Sequence, residues 1–236
     1  MGRNSFFQFK RFLITQEKAA MKVGIDGVLL GAWSDLENAT RILDIGTGTG
    51  LLALMAAQRS DAIIEAVELD VETASEALFN FKNSEWHSRI ILTVGPFQAF
   101  ESSLSFDHII SNPPFFDHSP KPVNLKRAQA RHTDSLSLDD LLKKSASLLS
   151  PDGKISLILP ADKEECLRIL AWEIGLYVNR LSRVAADENR NPHRLLVELS
   201  ANPVSSADAE IYIRRPGSSD YTSQYRELTK DFYLAF

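Results

Sequence analysis

The chain has 236 residues, of which 44% are apolar and 24% charged, and its net charge is −5. These proportions describe an ordinary globular protein of one large domain, or one domain with an appendage; they exclude a uniformly basic nucleic-acid coat but leave room for a local basic face. The single cysteine, Cys166, excludes an intrachain disulfide and a cysteine-based metal site, no run of 18 apolar residues exists for a membrane span, and the opening MGRNSFFQFKRF lacks the continuous apolar stretch of a signal peptide.

In chain order, Phe6, Phe9, Phe12 and Ile14 predict a short β-ribbon, and Asp26 to Trp33 (DGVLLGAW) predicts a helix with Asp26 near its start. From residue 41 onward, strands and helices alternate. Strand 41–45 (RILDI) is followed by helix 50–59 and strand 62–68 (AIIEAVE). Helix 71–83 has Ala74, Ala77, Leu78 and Phe81 on one face at helical spacing. Strands are expected at 90–94 and 106–111. A helix over 138–149 is expected to stop at Ser150-Pro151-Asp152-Gly153, a turn signal. Strand 154–159 comes next, then helix 162–172, in which Cys166 reads as a packing residue. Strands at 177–184 and 194–199 have only a loop between them, which predicts an antiparallel hairpin. Residues 200–220 read as the most polar, loop-like part. The alternation predicts an α/β fold: a Rossmann-like, seven-stranded, mostly parallel sheet covered on both faces, closed by a C-terminal antiparallel hairpin. Residues 1–40 would form a ribbon and helix packing on a core of residues 41–236.

Strand 41–45 runs into Asp44-Ile45-Gly46-Thr47-Gly48-Thr49-Gly50 and then a helix. Gly46, Gly48 and Gly50 let the backbone turn tightly and approach a ligand closely. Glu68 ends the next strand, where a carboxylate can accept both ribose hydroxyls of an adenosine. Asp70 reads as a helix N-cap. The bland alternative is a structural glycine turn beside a surface acid. A dinucleotide would set its pyrophosphate on the helix N-terminus. Asp44, two residues before the first glycine, would repel pyrophosphate and would suit an ammonium group. S-adenosyl-L-methionine carries an ammonium, a sulfonium and a ribose but no phosphate, so the charge pattern favours it over a nicotinamide dinucleotide.

Strand 106–111 stops against Asn112-Pro113-Pro114-Phe115. The two prolines remove two backbone donors, fix two φ angles and push each preceding residue toward extended geometry. The product is a stiff corner with an amide at its start and a flat ring at its end. Alone it is an ordinary strand-ending turn; next to the glycine loop it becomes a candidate catalytic corner.

DIGTGTG, VELD and FDHIISNPPFF resemble the methyl-donor-binding and amine-binding motifs of AdoMet-dependent, amino-methylating enzymes. FKRFLITQEKAAMKVGIDGVLLGAW, LLALMAAQR, NSEWHSRI, ARHTDSLSLDDLL and DFYLAF extend the match across nearly the whole chain. Together they resemble the bacterial tRNA1(Val) adenine N6-methyltransferase family, of class I methyltransferase fold, which modifies the adenine beside the anticodon. The resemblance implies that Asp44, Gly46, Gly48, Gly50 and Glu68 hold the donor, with Asp26 near its methionine end and Asn112 also among the donor-binding residues. It implies that Asn112 and Pro113 hold the target amine, with Pro114 stiffening the corner and Phe115 stacking on the base. Such enzymes often carry an Asp after the third strand of the sheet for the donor adenine; Pro96 stands there in this chain, leaving the Phe97 backbone and apolar packing to serve.

The implied partner is the anticodon loop of a tRNA, with no membrane, metal or stable protein partner, in a reducing cytoplasm. Basic character must then be local. Residues 1–30 (Arg3, Lys10, Arg11, Lys18, Lys22) and residues 119–144 each carry a net +3. Lys126, Arg127 and Arg131 in the second stretch are candidate phosphate contacts, and Arg180, Arg183, Arg190 and Arg194 form a third cluster. Three other readings stay open. A release-factor-type glutamine N5-methyltransferase uses the same corner but needs a peptide groove, an rRNA guanine N2-methyltransferase is also compatible with NPPF, and a non-enzymatic dinucleotide-binding module is disfavoured by Asp44 and NPPF together.

Overall fold

The computed structural model describes residues 4–19, 21–114, 136–204 and 208–236. Strands β1 (Phe6–Gln8) and β2 (Leu13–Thr15) pair as an antiparallel ribbon ahead of α1 (Ile25–Trp33). The alternating part follows: β3 (Arg41–Ile45), α2 (Leu51–Arg59), β4 (Ile63–Glu68), α3 (Val71–Lys82), β5 (Ile90–Val94) and β6 (Phe106–Ser111). Then come α4 (Leu138–Leu148), β7 (Leu149–Pro160), α5 (Glu164–Glu173), β8 (Tyr177–Ala185), β9 (Arg194–Ser200), β10 (Ala209–Tyr212) and α6 (Ser223–Thr229).

The main sheet has the order β10-β8-β9-β7-β6-β3-β4-β5. Strand β9 runs antiparallel to both of its neighbours, giving the expected hairpin with β8, and every other adjacent pair is parallel. The described sheet has eight strands where seven were expected. The addition, β10, lies in the stretch read as loop. It is four residues long, pairs only with β8 and buries only Ile211 fully, so it carries almost no hydrophobic pattern. The turn signal at Ser150–Gly153 also misleads. Leu149 already pairs with Phe106, and after an irregularity the ladder resumes at His108 and Lys154, so the strand absorbs those residues as a bulge. Cys166 is exposed and does not pack in the core.

Strand alternation sends Leu43, Ile45, Ile109, Ile155 and Leu157 to one face, against Leu141 and Leu142 of α4 and Leu167 of α5. Ile42, Ile110, Ile158 and Leu196 face the other way, onto α1, α2 and the ribbon residues Phe9, Phe12 and Ile14. The N-terminal residues are therefore part of the main core. Helices α1 and α2 cross closely because α1 offers glycine where they meet. A Cβ on Gly31 would lie 2.6 Å from Met55 Sδ, and one on Gly27 would lie 2.9 Å from Leu51 Cδ2. The far end of α1 is clamped by cations, as its dipole favours. Arg59 donates to the Gly31 and Ser34 carbonyls at 2.7 and 2.6 Å, while Arg180 stacks 3.5 Å from the Trp33 ring centroid and donates to the Trp33 carbonyl.

From central β3 the chain moves outward through β4 and β5, then returns to place β6 on β3's other side. This reversal opens a crevice at the carboxyl ends of β3 and β6, the usual ligand position in such sheets. Ile45 pairs with Ser111, and Ser111 Oγ donates to the Ile45 carbonyl at 2.8 Å. Gly46 and Asn112 thus leave the sheet side by side. Among the described residues no helix is long and apolar enough to cross a membrane.

Candidate active site

Gly46, Gly48 and Gly50 have φ values of 69°, 57° and 86°, left-handed conformations that side chains resist. The loop is pinned by its neighbours: the Gly46 and Thr47 N–H groups donate to the Val67 carbonyl at 2.9 and 3.0 Å. Glu68, at the end of β4, accepts from the Gly48 N–H at 2.9 Å and from the Asp70 N–H at 3.0 Å. Asp70 caps α3 by accepting from the Thr73 N–H at 2.8 Å.

Asp44 lies underneath this loop and is fully buried. Its Oδ2 accepts from the Thr47 hydroxyl at 2.5 Å and the Ala53 N–H at 3.1 Å, while Oδ1 has no hydrogen-bond partner among the described residues. Burial pushes its carboxyl up to about 7, against the two hydrogen bonds and with a further push from the negative Glu68. Asp44 lines neither cavity described below. It braces the loop from beneath, and at neutral pH it is only partly charged, which weakens the attraction to an ammonium expected from the sequence. Gly50 also lines neither cavity; a Cβ there would lie 2.4 Å from a ring atom of Phe81, so its glycine serves packing and the turn into α2.

Two cavities meet at the crevice. The larger, about 620 Å³, lies within the range of small-molecule sites. Its walls are the ends of β3, β4, β5 and β6, with Gly46, Gly48, Glu68, Pro96, Phe97, Asn112, Pro113 and Pro114 among them. Val67, Leu69 and Phe97 supply apolar surface, and Phe97 is itself 4% exposed. Glu68, Asp70 and Glu72 make this wall anionic, with Lys18 as the cation. Such a wall suits a cationic adenosine compound and opposes a pyrophosphate, so these residues fit S-adenosyl-L-methionine. Pro96 stands on the wall as expected from the sequence; the neighbouring Gln98 supplies an amide there that the sequence reading did not anticipate.

The smaller cavity, about 370 Å³, is enclosed by the segment from Met21 to Gly27, the glycine loop, Leu51, Leu52, Asn112 and Arg194. Asp26 lies here and pairs with Arg194, whose Nε is 2.7 Å from Asp26 Oδ2. Met21, Gly46, Gly48 and Asn112 line both cavities. Asn112 Oδ1 is buried with no hydrogen-bond partner among the described residues, and its Nδ2 faces Gly27 of α1. A buried acceptor oxygen without a partner is costly, and here it belongs to a residue that lines both cavities.

The structure thus gathers Asp26, Gly46, Gly48, Glu68, Phe97, Asn112, Pro113 and Pro114, and sets Asp44 and Gly50 behind them. Phe115, Lys126, Arg127 and Arg131 lie outside the described residues. Of the third basic cluster, Arg180 is engaged by Trp33 and Arg183 by Glu164 and Asp208, whereas Arg194 reaches the site. The sequence reading missed Met21 and the Asp26–Arg194 pair. Their contacts span distant parts of the chain, so no local pattern announces them.

The methyltransferase small domain family matches residues 27–171. A tRNA1(Val) (adenine(37)-N6)-methyltransferase of Parabacteroides distasonis is 44% identical, with 98% of each chain covered. Another of the same description, from Vibrio vulnificus, is 41% identical over 97% of this chain and 95% of its own. Among solved structures, a predicted O-methyltransferase from Agrobacterium tumefaciens superimposes with a TM-score of 0.68 at 19% identity, covering 88% of this chain and 96% of its own. A methyltransferase from Pyrococcus furiosus gives 0.54 at 21% identity, with 73% and 80% covered.

Proposed function

This chain belongs to the family of tRNA1(Val) (adenine(37)-N6)-methyltransferases, and on that premise we propose that it methylates the exocyclic N6 amine of adenine 37 in a tRNA anticodon loop. The donor is S-adenosyl-L-methionine, which when bound supplies an electrophilic methyl group on a sulfonium. Each Glu68 oxygen accepts one backbone N–H and keeps lone-pair capacity for a ribose hydroxyl. Asp26, sharing its charge with Arg194, stands at the methionine end.

The observation that carries this reading is Asn112, which lines both cavities and whose Oδ1 has no hydrogen-bond partner among the described residues. An adenine amine is a poor nucleophile because its lone pair is delocalised into the ring. Asn112 Oδ1 and the Pro113 carbonyl each accept one of its N–H bonds, which favours a pyramidal nitrogen with its lone pair aimed at the methyl carbon. Pro113 and Pro114 keep these acceptors from moving. No strong base is needed, because the nitrogen becomes acidic only as the new bond forms and then releases its extra proton to water. Catalysis is therefore mostly orientation, which supplies roughly 7–11 kcal/mol in well-aligned systems. An anticodon-loop base is partly unstacked already, so extruding it costs little. A tRNA substrate fits a cytoplasmic enzyme.

Incubation with labelled donor and total tRNA, followed by nucleoside mass analysis, tests the proposal. N6-methyladenosine is the expected product. Label on N2-methylguanosine, or on a peptide glutamine in a parallel reaction with protein, would overturn it in favour of those chemistries.

A further inference from the structure

Between β2 and α1 the described residues 16–19 and 21–23 belong to no helix or strand, yet Lys18 and Ala19 wall the larger cavity, Lys22 and Val23 the smaller, and Met21 both. Side chains hold them. Glu76 of α3, 4% exposed, accepts from the backbone N–H groups of Glu17 and Lys18 at 2.6 and 2.8 Å through one oxygen and of Ala19 at 3.1 Å through the other. Convergence of successive N–H groups on one anion is a rigid arrangement. Gln16, also 4% exposed, closes the neck of the loop by accepting from the Val23 N–H at 2.8 Å. The loop presents Lys18 to the larger cavity, Lys22 to the smaller, and the 55% exposed Met21 to both.

These two lysines differ from the other N-terminal cations. Arg11 pairs with Glu85 and stacks on Trp86, and Lys10 donates to the Lys230 and Phe236 carbonyls, away from the site. Lys18 and Lys22 donate only to neutral oxygens, Ser75 Oγ at 3.2 Å and the Asn4 carbonyl at 2.7 Å, and neither forms an ion pair among the described residues. In the sequence they flank Met21, Lys18 standing on the larger cavity beside Glu68, Asp70 and Glu72, and Lys22 on the smaller. That order, cation, apolar face, cation, matches phosphate, base, phosphate along a single strand. We propose that Lys18, Met21 and Lys22 grip the RNA on both sides of the target base, with Lys18 and Lys22 on the flanking phosphates and Glu76 as the positioning residue that sets their loop. The inference rests on the RNA-methylating reading above and adds the surface that reading requires.

The test measures tRNA affinity against salt concentration, with donor affinity measured separately. In the Lys18→Ala/Lys22→Ala variant the slope of log K against log salt is expected to fall by roughly one per lysine. Glu76→Gln is expected to lose the same slope with both lysines present, an outcome a purely structural carboxylate would not produce. A wild-type slope in the double variant, together with normal methylation, overturns the surface and spares the proposed function. A lowered slope in an enzyme that makes no N6-methyladenosine supports the surface and defeats the proposed target.

Discussion

The two sides of the site are built by different means. The donor side is made of strand ends and a glycine loop, braced by backbone hydrogen bonds to the Val67 carbonyl and to Glu68, and its charge is negative. The side proposed for the acceptor is closed by an irregular loop hung on Glu76 and Gln16, and it presents two lysines, Lys18 and Lys22, to the cavities. A small cationic donor needs fixed shape and an anionic wall. A polyanion needs countercharge and a surface of its own at the rim. Asn112, at the end of a central strand, lines both cavities.

Three changes break or sharpen this contrast, and all act on the donor side. The largest effect concerns Asp44. A carboxyl held near 7 when folded, against an ordinary value near 4, keeps a proton that the unfolded chain has released. Its contribution to stability is therefore full at low pH, falls as pH rises from about 4 to about 7, and is flat above. Relative to Asp44→Asn, the wild type should lose about 2–3 kcal/mol between pH 5 and pH 8, read from denaturant midpoints. Parallel pH profiles would show that Asp44 is ionised throughout. The next effect is Glu68→Ala, which removes a charged acceptor and should weaken donor binding by about 2 kcal/mol with RNA affinity unchanged; calorimetry with each ligand separates the two. The smallest is Gly50→Ala, which forces a side chain into a left-handed turn against Phe81. It should cost about 1–2 kcal/mol of stability, lowering Tm by a few degrees for a chain of this size. Unchanged Tm with lost donor affinity would make Gly50 a contact after all.

The donor side was largely legible in the sequence, because its parts are local: glycines after a strand, an acid ending the next, prolines ending another. Strands β3 to β9 were legible for a related reason, their apolar runs being bounded by glycine, proline or polar turns. Strand β10 was not, since a short edge strand with one fully buried residue leaves no periodic trace. The start of β7 was hidden by residues whose local preference is a turn but which the neighbouring strand holds extended. Around the N-terminal loop and the smaller cavity the deciding contacts are remote. Glu76 meets Glu17 across 59 residues and Asp26 meets Arg194 across 168, and neither partner carries a local sign of the other. The burial of Asp44 was hidden for a different reason: spacing located the carboxylate near the loop but could not tell the buried side from the cavity side.

The central claim is that Asn112 directs the acceptor amine without holding the donor. The most direct test is the single-turnover methylation rate of Asn112→Ala, measured beside its donor dissociation constant. The account predicts a rate lowered by roughly 10²–10³ with the constant within about twofold of wild type. A wild-type rate, or a donor affinity that falls as far as the rate, would contradict it.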